Sequence, residues 1–310
     1  MKHIATIFSL TILAFLLMAA VLLPTQPAYA CGGYLDPDVN ADYYYSLGTT
    51  PSTNGGNKAG AGNFVFNGTA ALTNTLVTSG DQAAALSGGA GNDLTLSAHT
   101  GGTNLNAAFT ERTYELWFRA DSLGGRQQLF EHGGSFNGGG LYLDGNTLYG
   151  GVWDGNNIAT SFFVSYTGIT VGDIYHVVLV YTGNATNTLE MFVNSASVGV
   201  VDTSAASPDI AAGGNANAIG NVNGDTRNHD GAVTTGNSPF VGVIDEVAVY
   251  PTAAVQADVT AAFAGCHPTA VSLSGISAET TTPLALIGLA ATLLVITVMV
   301  WKRERLQQSS

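Results

Sequence analysis

Positive charge is scarce in this sequence. Nine lysines and arginines stand against 22 aspartates and glutamates, for a formal net charge of -13. Between Cys31 and Pro283 the basic side chains, histidine aside, are Lys58, Arg112, Arg119, Arg126 and Arg227, and every acid except Glu304 falls in that span. So acidic a surface repels phosphate backbones, which excludes nucleic acid as an expected partner. Cysteine is nearly absent too. Cys31 and Cys266 stand alone, too few for a disulfide framework and too far apart for a metal-ligand spacing. No G-x-S-x-G, no H-E-x-x-H and no phosphate-binding glycine loop occurs, so the common hydrolase, metalloprotease and nucleotide motifs are missing. Helical periodicity is almost lacking before the C-terminal region.

What is present begins at the ends. Met1-Lys2-His3 opens on positive charge, Ile4 to Leu23 is nearly unbroken apolar sequence, and Ala28-Tyr29-Ala30 gives an A-x-A pattern before Cys31. That layout is a secretory signal peptide over 1–30. Leu284 to Trp301 is a second apolar run without charge. At about 1.5 Å per residue it just crosses a hydrocarbon core of about 30 Å. Lys302-Arg303-Glu304-Arg305 follows, so 302–310 is expected inside the cell. Residues 268–283 read as a Ser/Thr-rich stalk, which leaves 31–267 as one ectodomain, exported and held at the cell surface by a single transmembrane helix. An exported compartment permits a Cys31–Cys266 disulfide, with two free thiols as the alternative.

Within the ectodomain, short apolar runs alternate with Gly/Asn/Thr-rich turns. Leu72–Leu76, Ala83–Ser87, Leu94–Leu96, Thr113–Ala120, Gln128–Glu131, Gly140–Asp144, Thr147–Trp153, Ile174–Tyr181, Thr188–Asn194 and Val241–Tyr250 read as strands. Asp144-Gly145-Asn146 between two of them marks a hairpin. Thr252–Phe263 is the one helix-like piece before the apolar tail. The expected fold is all-β, a two-sheet antiparallel sandwich.

Seven stretches, in order, carry a family resemblance. They are Val65-Phe-Asn-Gly-Thr-Ala-Ala-Leu72, Gln82-Ala-Ala-Ala-Leu-Ser-Gly-Gly89, Tyr114-Glu-Leu-Trp-Phe-Arg119, Gln128-Leu-Phe-Glu-His-Gly-Gly134, Tyr175-His-Val-Val-Leu-Val-Tyr-Thr-Gly183, Ala218-Ile-Gly220 and Gly242-Val-Ile-Asp-Glu-Val-Ala-Val-Tyr250. From about Tyr34 to Ala264 the sequence resembles the LamG-like jelly-roll domains of the concanavalin A-like lectin/glucanase group. The resemblance implies a jelly-roll sandwich and leaves function open, because that fold hosts many functions. Three departures stand out: Ile174 replaces a usual Trp, Asn194-Ser195 replaces a usual Asp-Gly, and Tyr43-Tyr-Tyr-Ser-Leu-Gly48 lacks a usual Asp-Glu pair.

Two acids interrupt the last strand. With strict alternation, Val241, Val243, Asp245, Val247 and Val249 share one face and Ile244, Glu246, Ala248 and Tyr250 the other. A carboxylate in a core-facing row costs several kcal/mol unless it is satisfied. A structural calcium held by Asp245 with Asn67, as the resemblance implies, an ion pair to one of the few arginines, and hydrogen bonds to loop amides are the three possibilities. Glu246 is expected at the rim. Sandwich glucanases carry E-x-D-x-x-E on one strand, a pattern missing here, and adjacent acids cannot flank one bond as retaining hydrolysis requires. His176, inside an apolar strand, reads as structural. No enzymatic activity is expected.

Ligand-binding candidates sit on two loops rich in aromatic, amide and carboxylate groups, the chemistry that grips sugars. Trp153, Asp154 and Asn156 come from the first, and Asn223, Asp225 and Asp230 from the second. The expected function is non-catalytic binding of a glycan or a surface protein. A structural envelope component is the second possibility, and a divergent glycoside hydrolase the third.

Overall fold

The computed structural model describes residues 35–49, 53, 62–77, 82–96, 105–155, 157–184, 186–205, 209–214 and 217–266. The expected signal peptide, stalk, membrane span and tail lie outside these residues, and so do Asn156 and the expected disulfide. Among the described residues no helix is long and apolar enough to cross a membrane.

In chain order the strands are β1 (Tyr43–Tyr45), β2 (Phe64–Phe66), β3 (Ala71–Asn74), β4 (Gln82–Ser87), β5 (Leu94–Leu96), β6 (Glu111–Ala120), β7 (Arg126–His132), β8 (Gly138–Asp144), β9 (Thr147–Trp153), β10 (Ser161–Thr167), β11 (Ile174–Thr182), β12 (Thr188–Val193), β13 (Ala196–Asp202), β14 (Asn217–Ile219), β15 (Asp225–Arg227), β16 (Val233–Thr235) and β17 (Val241–Tyr250). Helix α1 spans Pro37–Asn40 and α2 spans Gln256–Cys266. Among the described residues the first sheet runs β13-β12-β11-β6-β17-β4-β3, with β1 also paired to β17. The second runs β10-β9-β8-β7-β14-β5-β2, and β15 pairs with β16 alone. The ladders are antiparallel, so the chain is an antiparallel all-β sandwich.

The two large sheets face each other across one core. Leu116, Phe118, Leu179, Ile244, Val247 and Val249 from the first meet Phe130, Leu141, Leu148 and Val152 from the second. Each fully buried side chain of this size contributes about 1.5–3 kcal/mol. A second cluster lies under α2, whose Val259 and Ala262 pack with Val178, Val180, Phe192, Ala248 and Tyr250.

The helix starts later than the sequence pattern indicates. Residues 252 to 255 are tied down first: Thr113 Oγ1 donates to the Thr252 carbonyl at 2.8 Å and accepts the Ala254 amide at 2.9 Å. The Asp258 carboxylate then accepts the Val255 amide at 3.1 Å, a capping contact at the first turn.

The last strand does not alternate uniformly. Between Asp245 and Ala248 the register against β6 shifts by one residue, and Glu246 takes φ 52°. This bulge reverses the faces beyond it. Ile244, Val247 and Val249 line the core between the sheets, whereas Val243 packs with Trp117, Leu76 and Val77 in a separate cluster. The expected row of five therefore breaks, and Asp245 does not stand among core-facing valines.

The β12–β13 hairpin turns at Asn194 and Ser195, with φ 49° and 66°. Here the sequence lacks the glycine that such a turn prefers. Ser195→Gly is expected to stabilise the fold by about 1 kcal/mol by removing left-handed strain, read as a rise of about 2–4 °C in melting temperature.

Burial pushes the phenols of Tyr43 and Tyr181 up to about 12, and those of Tyr45, Tyr114, Tyr142 and Tyr250 upward as well. In the unfolded chain tyrosine ionises near pH 10. The folded phenols stay protonated above that pH while the unfolded chain gains charge. Their contribution is therefore complete below pH 10 and is lost as pH rises through the folded values. Urea midpoints measured at pH 9 and at about pH 11.5 are expected to fall sharply between the two.

Candidate functional site

The two loops singled out from the sequence meet on one surface. Trp153 ends β9 at 1 % exposure, donates Nε1–H to the Gly134 carbonyl at 2.8 Å and stacks on Phe163. It is scaffold, with no ring face open to a ligand. Asp154 follows, half-buried. Its Oδ1 accepts the Ala211 amide at 3.1 Å, and its carbonyl accepts the Thr160 hydroxyl. Asn137 ties the neighbouring segments, accepting the Gly155 amide at 2.7 Å and donating to the Ala212 carbonyl at 3.0 Å.

The second loop lies over the outer face of the second sheet. The Asn223 amide donates to Glu131 Oε1 at 3.1 Å, and Asn223 Nδ2 to the Asn217 carbonyl at 3.3 Å. Asp225 accepts the Ser135 amide at 2.9 Å and its hydroxyl at 2.7 Å, while Arg227 Nε donates to the Ser135 carbonyl at 3.1 Å. His229 stacks on Tyr149 with centroids 3.9 Å apart and shares a 2.6 Å hydrogen bond between Nδ1 and the Tyr142 hydroxyl. Asp230 accepts from Arg126 at 3.1 Å, and Arg126 also reaches Asp144 at 2.7 Å. Burial raises the Asp230 carboxyl, but the Ala232 amide and the Arg126 guanidinium outweigh it and hold the group below the ordinary aspartate value.

Hydrogen bonds thus stitch residues 133–137, 154–155, 157–160, 211–212 and 223–232 into one platform. Its rim carries the open side chains. Phe136 is 59 % exposed and Ile158 is 51 % exposed, and a Cβ on Gly231 would stand 3.3 Å from Ile158. Phe136 escaped the sequence reading. The signal was a lone aromatic residue inside the glycine-rich stretch Gly133-Gly-Ser-Phe-Asn-Gly138, where nothing apolar could bury it.

Glu131 was also missed. It is an acid within an apolar strand, the same anomaly as Asp245. It is fully buried on the second sheet, beside Ala218 on β14 and Gly140 on β8. Burial pushes its carboxyl well above the ordinary glutamate value, the Asn223 amide pulls it back and the charge of Asp225 adds to the rise.

The metal-ligand candidates are not brought together. Asn67 donates to Asp93 Oδ1 at 2.8 Å and to Thr95 Oγ1 at 2.9 Å, both at β5 of the second sheet. Asp245, 0 % exposed on the first sheet, accepts the Thr75 hydroxyl and the Leu76 amide at 2.8 Å each, and the Glu246 amide at 3.1 Å. Donors aimed at a carboxylate fit the loop-amide possibility. Glu246 is not at a rim: it is 8 % exposed and accepts the Tyr44 hydroxyl. His176 is buried in a network, with Nε2 2.7 Å from Glu115 Oε1, the Tyr250 hydroxyl donating to Glu115 Oε2 at 2.6 Å, and its ring stacked on Trp117.

A single sandwich of two antiparallel sheets defines the class. Residues 88–260 match the Laminin_G_3 model of the concanavalin A-like lectin/glucanases superfamily, and the chain belongs to that family. No curated protein matches the sequence. Among solved structures, the receptor binding domain of botulinum neurotoxin D aligns with TM-score 0.54 and 8 % identity, over 74 % of this chain and 53 % of that one. The binding domain of Paraclostridial Mosquitocidal Protein 1 gives 0.53 and 13 %, over 72 % and 52 %. The chain therefore spans about half the length of each, and at these identities the likeness is one of fold. Domain 4 of AbnA, a GH43 extracellular arabinanase from Geobacillus stearothermophilus in complex with arabinotriose, gives 0.49 and 20 %, over 72 % and 98 %.

Proposed function

We propose that this domain is a non-catalytic jelly-roll binding module, displayed outside the cell, that recognises a glycan through the loop platform. The observation that carries the reading is the platform itself. One exposed ring, Phe136, stands between Ser135 and Asn137, which tie it to Asp225, Gly155 and Ala212 through cross-loop hydrogen bonds. Stacking on a ring with hydrogen bonds from fixed amides and carboxylates is how sugars are gripped. Rigid loops also lower the ordering cost of binding. The non-catalytic part rests on the strand acids: Asp245, Glu246 and Glu115 are buried and engaged by donors of their own chain. Export by residues 1–30 and anchoring by 284–301 complete the proposal.

A surface protein is the second reading. Ile158 and Val233 add exposed aliphatic surface to the same rim, and that suits a protein partner better than a sugar. The full-length chain on a glycan array and on a panel of surface proteins separates the two. A glycan signal weakened about tenfold by Phe136→Ala, a loss of about 1.4 kcal/mol, supports the first reading. A protein signal with the same dependence supports the second. Silence in both arms, in a folded protein, supports a structural envelope role and removes the platform reading.

A further inference from the structure

The segments of the platform carry the acids Asp154, Asp225 and Asp230, and Arg227 is the one arginine or lysine among them. Arg227 is 4 % exposed and turned to its own chain. Its Nε donates to the Ser135 carbonyl at 3.1 Å and Nη1 to the Gly231 carbonyl at 3.4 Å. Arg126 is paired with two carboxylates, Asp144 at 2.7 Å and Asp230 at 3.1 Å. The carboxylates are the more open partners, with side chains 37 % and 45 % exposed against 22 % for the arginine. Asp230 stays ionised at neutral pH. Asp225 is bonded to Ser135, the residue before Phe136. The other described arginines are engaged too: Arg119 with Asp121, and the buried Arg112 with the Leu105 and Ala107 carbonyls. Among the described residues, arginine charge is thus covered, while acid charge on the platform reaches solvent.

A sialic acid, a uronate or a sulfated sugar brings a fixed anion to its site. Such a group is held where a cation or several donors meet it, and beside like charges its loss of water goes uncompensated. A neutral sugar is the reverse case, because its hydroxyls donate to carboxylates directly. The excess of acids over the whole domain acts in the same sense, by repelling anions before contact. We infer that the platform selects neutral glycans and rejects acidic ones, with Asp225 and Asp230 setting the discrimination. This selectivity rests on the glycan reading of the platform.

The test reads the full-length chain on paired glycans that differ only by an added sialic acid, by a uronic acid in place of a neutral hexose, or by a sulfate. In about 0.1 M salt, where charges act over about 10 Å, each acidic member is expected to bind at least about tenfold more weakly than its neutral member. In about 1 M salt that reach falls to about 3 Å, and the gap is expected to narrow. Asp230→Asn removes one exposed carboxylate and is expected to raise the ratio of acidic to neutral signal about threefold. The salt comparison reads the unaltered protein, so it decides even where Asp230→Asn fails to fold. Equal or stronger binding of the acidic members, lost in Phe136→Ala, overturns the selectivity and keeps the glycan reading. Silence on every glycan, in a folded protein, overturns both.

Discussion

Asp245→Ala is expected to destabilise the fold by about 4 kcal/mol. The substitution leaves the buried Leu76 amide and the Glu246 amide without this acceptor, while the Thr75 hydroxyl keeps the Val77 carbonyl. Each buried donor so orphaned costs about 1–3 kcal/mol. In a domain of this size that lowers the melting temperature by about 8–16 °C. Asp245→Asn keeps an oxygen acceptor in place and is expected to cost about half as much. Thermal melts of both, with and without chelator, discriminate the origins of the effect. A hydrogen-bonded carboxylate predicts the graded pair of losses, independent of chelator in each variant. A calcium ligand at this position predicts that both variants lose equally and that chelator no longer matters once the acid is gone.

Gly242→Ala is expected to be at least as severe, at about 4 kcal/mol or more. Gly242 sits on β17 with φ 154°, and an added Cβ would stand 2.1 Å from the Arg119 carbonyl oxygen and 2.8 Å from the Phe240 ring. The oxygen belongs to the neighbouring central strand β6, so relief requires the two strands to part. Gly91→Ala is the control. It also has positive φ, 74°, but meets nothing within 4 Å, so only backbone strain of about 1 kcal/mol is expected. Similar urea midpoints for the two variants would remove steric exclusion as the reason for glycine at 242.

Much of the fold was legible because the strands announce themselves. Thr147–Trp153 and Val241–Tyr250 coincide with β9 and β17, and Asp144-Gly145-Asn146 turns between β8 and β9 with Gly145 at φ 61°. The short strands β1, β2, β14, β15 and β16 were passed over, although the equally short β5 was read from Leu94–Leu96. Ser161–Thr167 and Ala196–Asp202 were passed over too, although both are longer. They are edge strands, β10 and β13, whose mixed burial dilutes the pattern. The faces of β17 could not be read, because period-2 logic assumes no bulge and Glu246 makes one.

The candidate site residues are fixed by partners the sequence does not show. Asp154, Asn223, Asp225 and Asp230 are held by Ala211, Glu131, Ser135 and Arg126, all far away in sequence. Trp153 turned inward and Phe136 outward, because an aromatic side chain's direction depends on what the surrounding loops leave room for. Glu131 carried the same local signal as Asp245; its partner, the Asn223 amide, comes from a segment that only the fold places beside it.

Recognition is proposed for the loop platform, whereas Asp245 and Glu246 of the last strand are buried and hydrogen-bonded within the domain. The most direct measurement reads full-length unaltered protein, Phe136→Ala and Asp245→Asn side by side on the same glycan array, with a melting curve for each. The account predicts that Phe136→Ala loses signal at an unchanged melting temperature, and that Asp245→Asn melts lower yet binds normally while folded. Full binding by Phe136→Ala, with binding lost in folded Asp245→Asn, would contradict it.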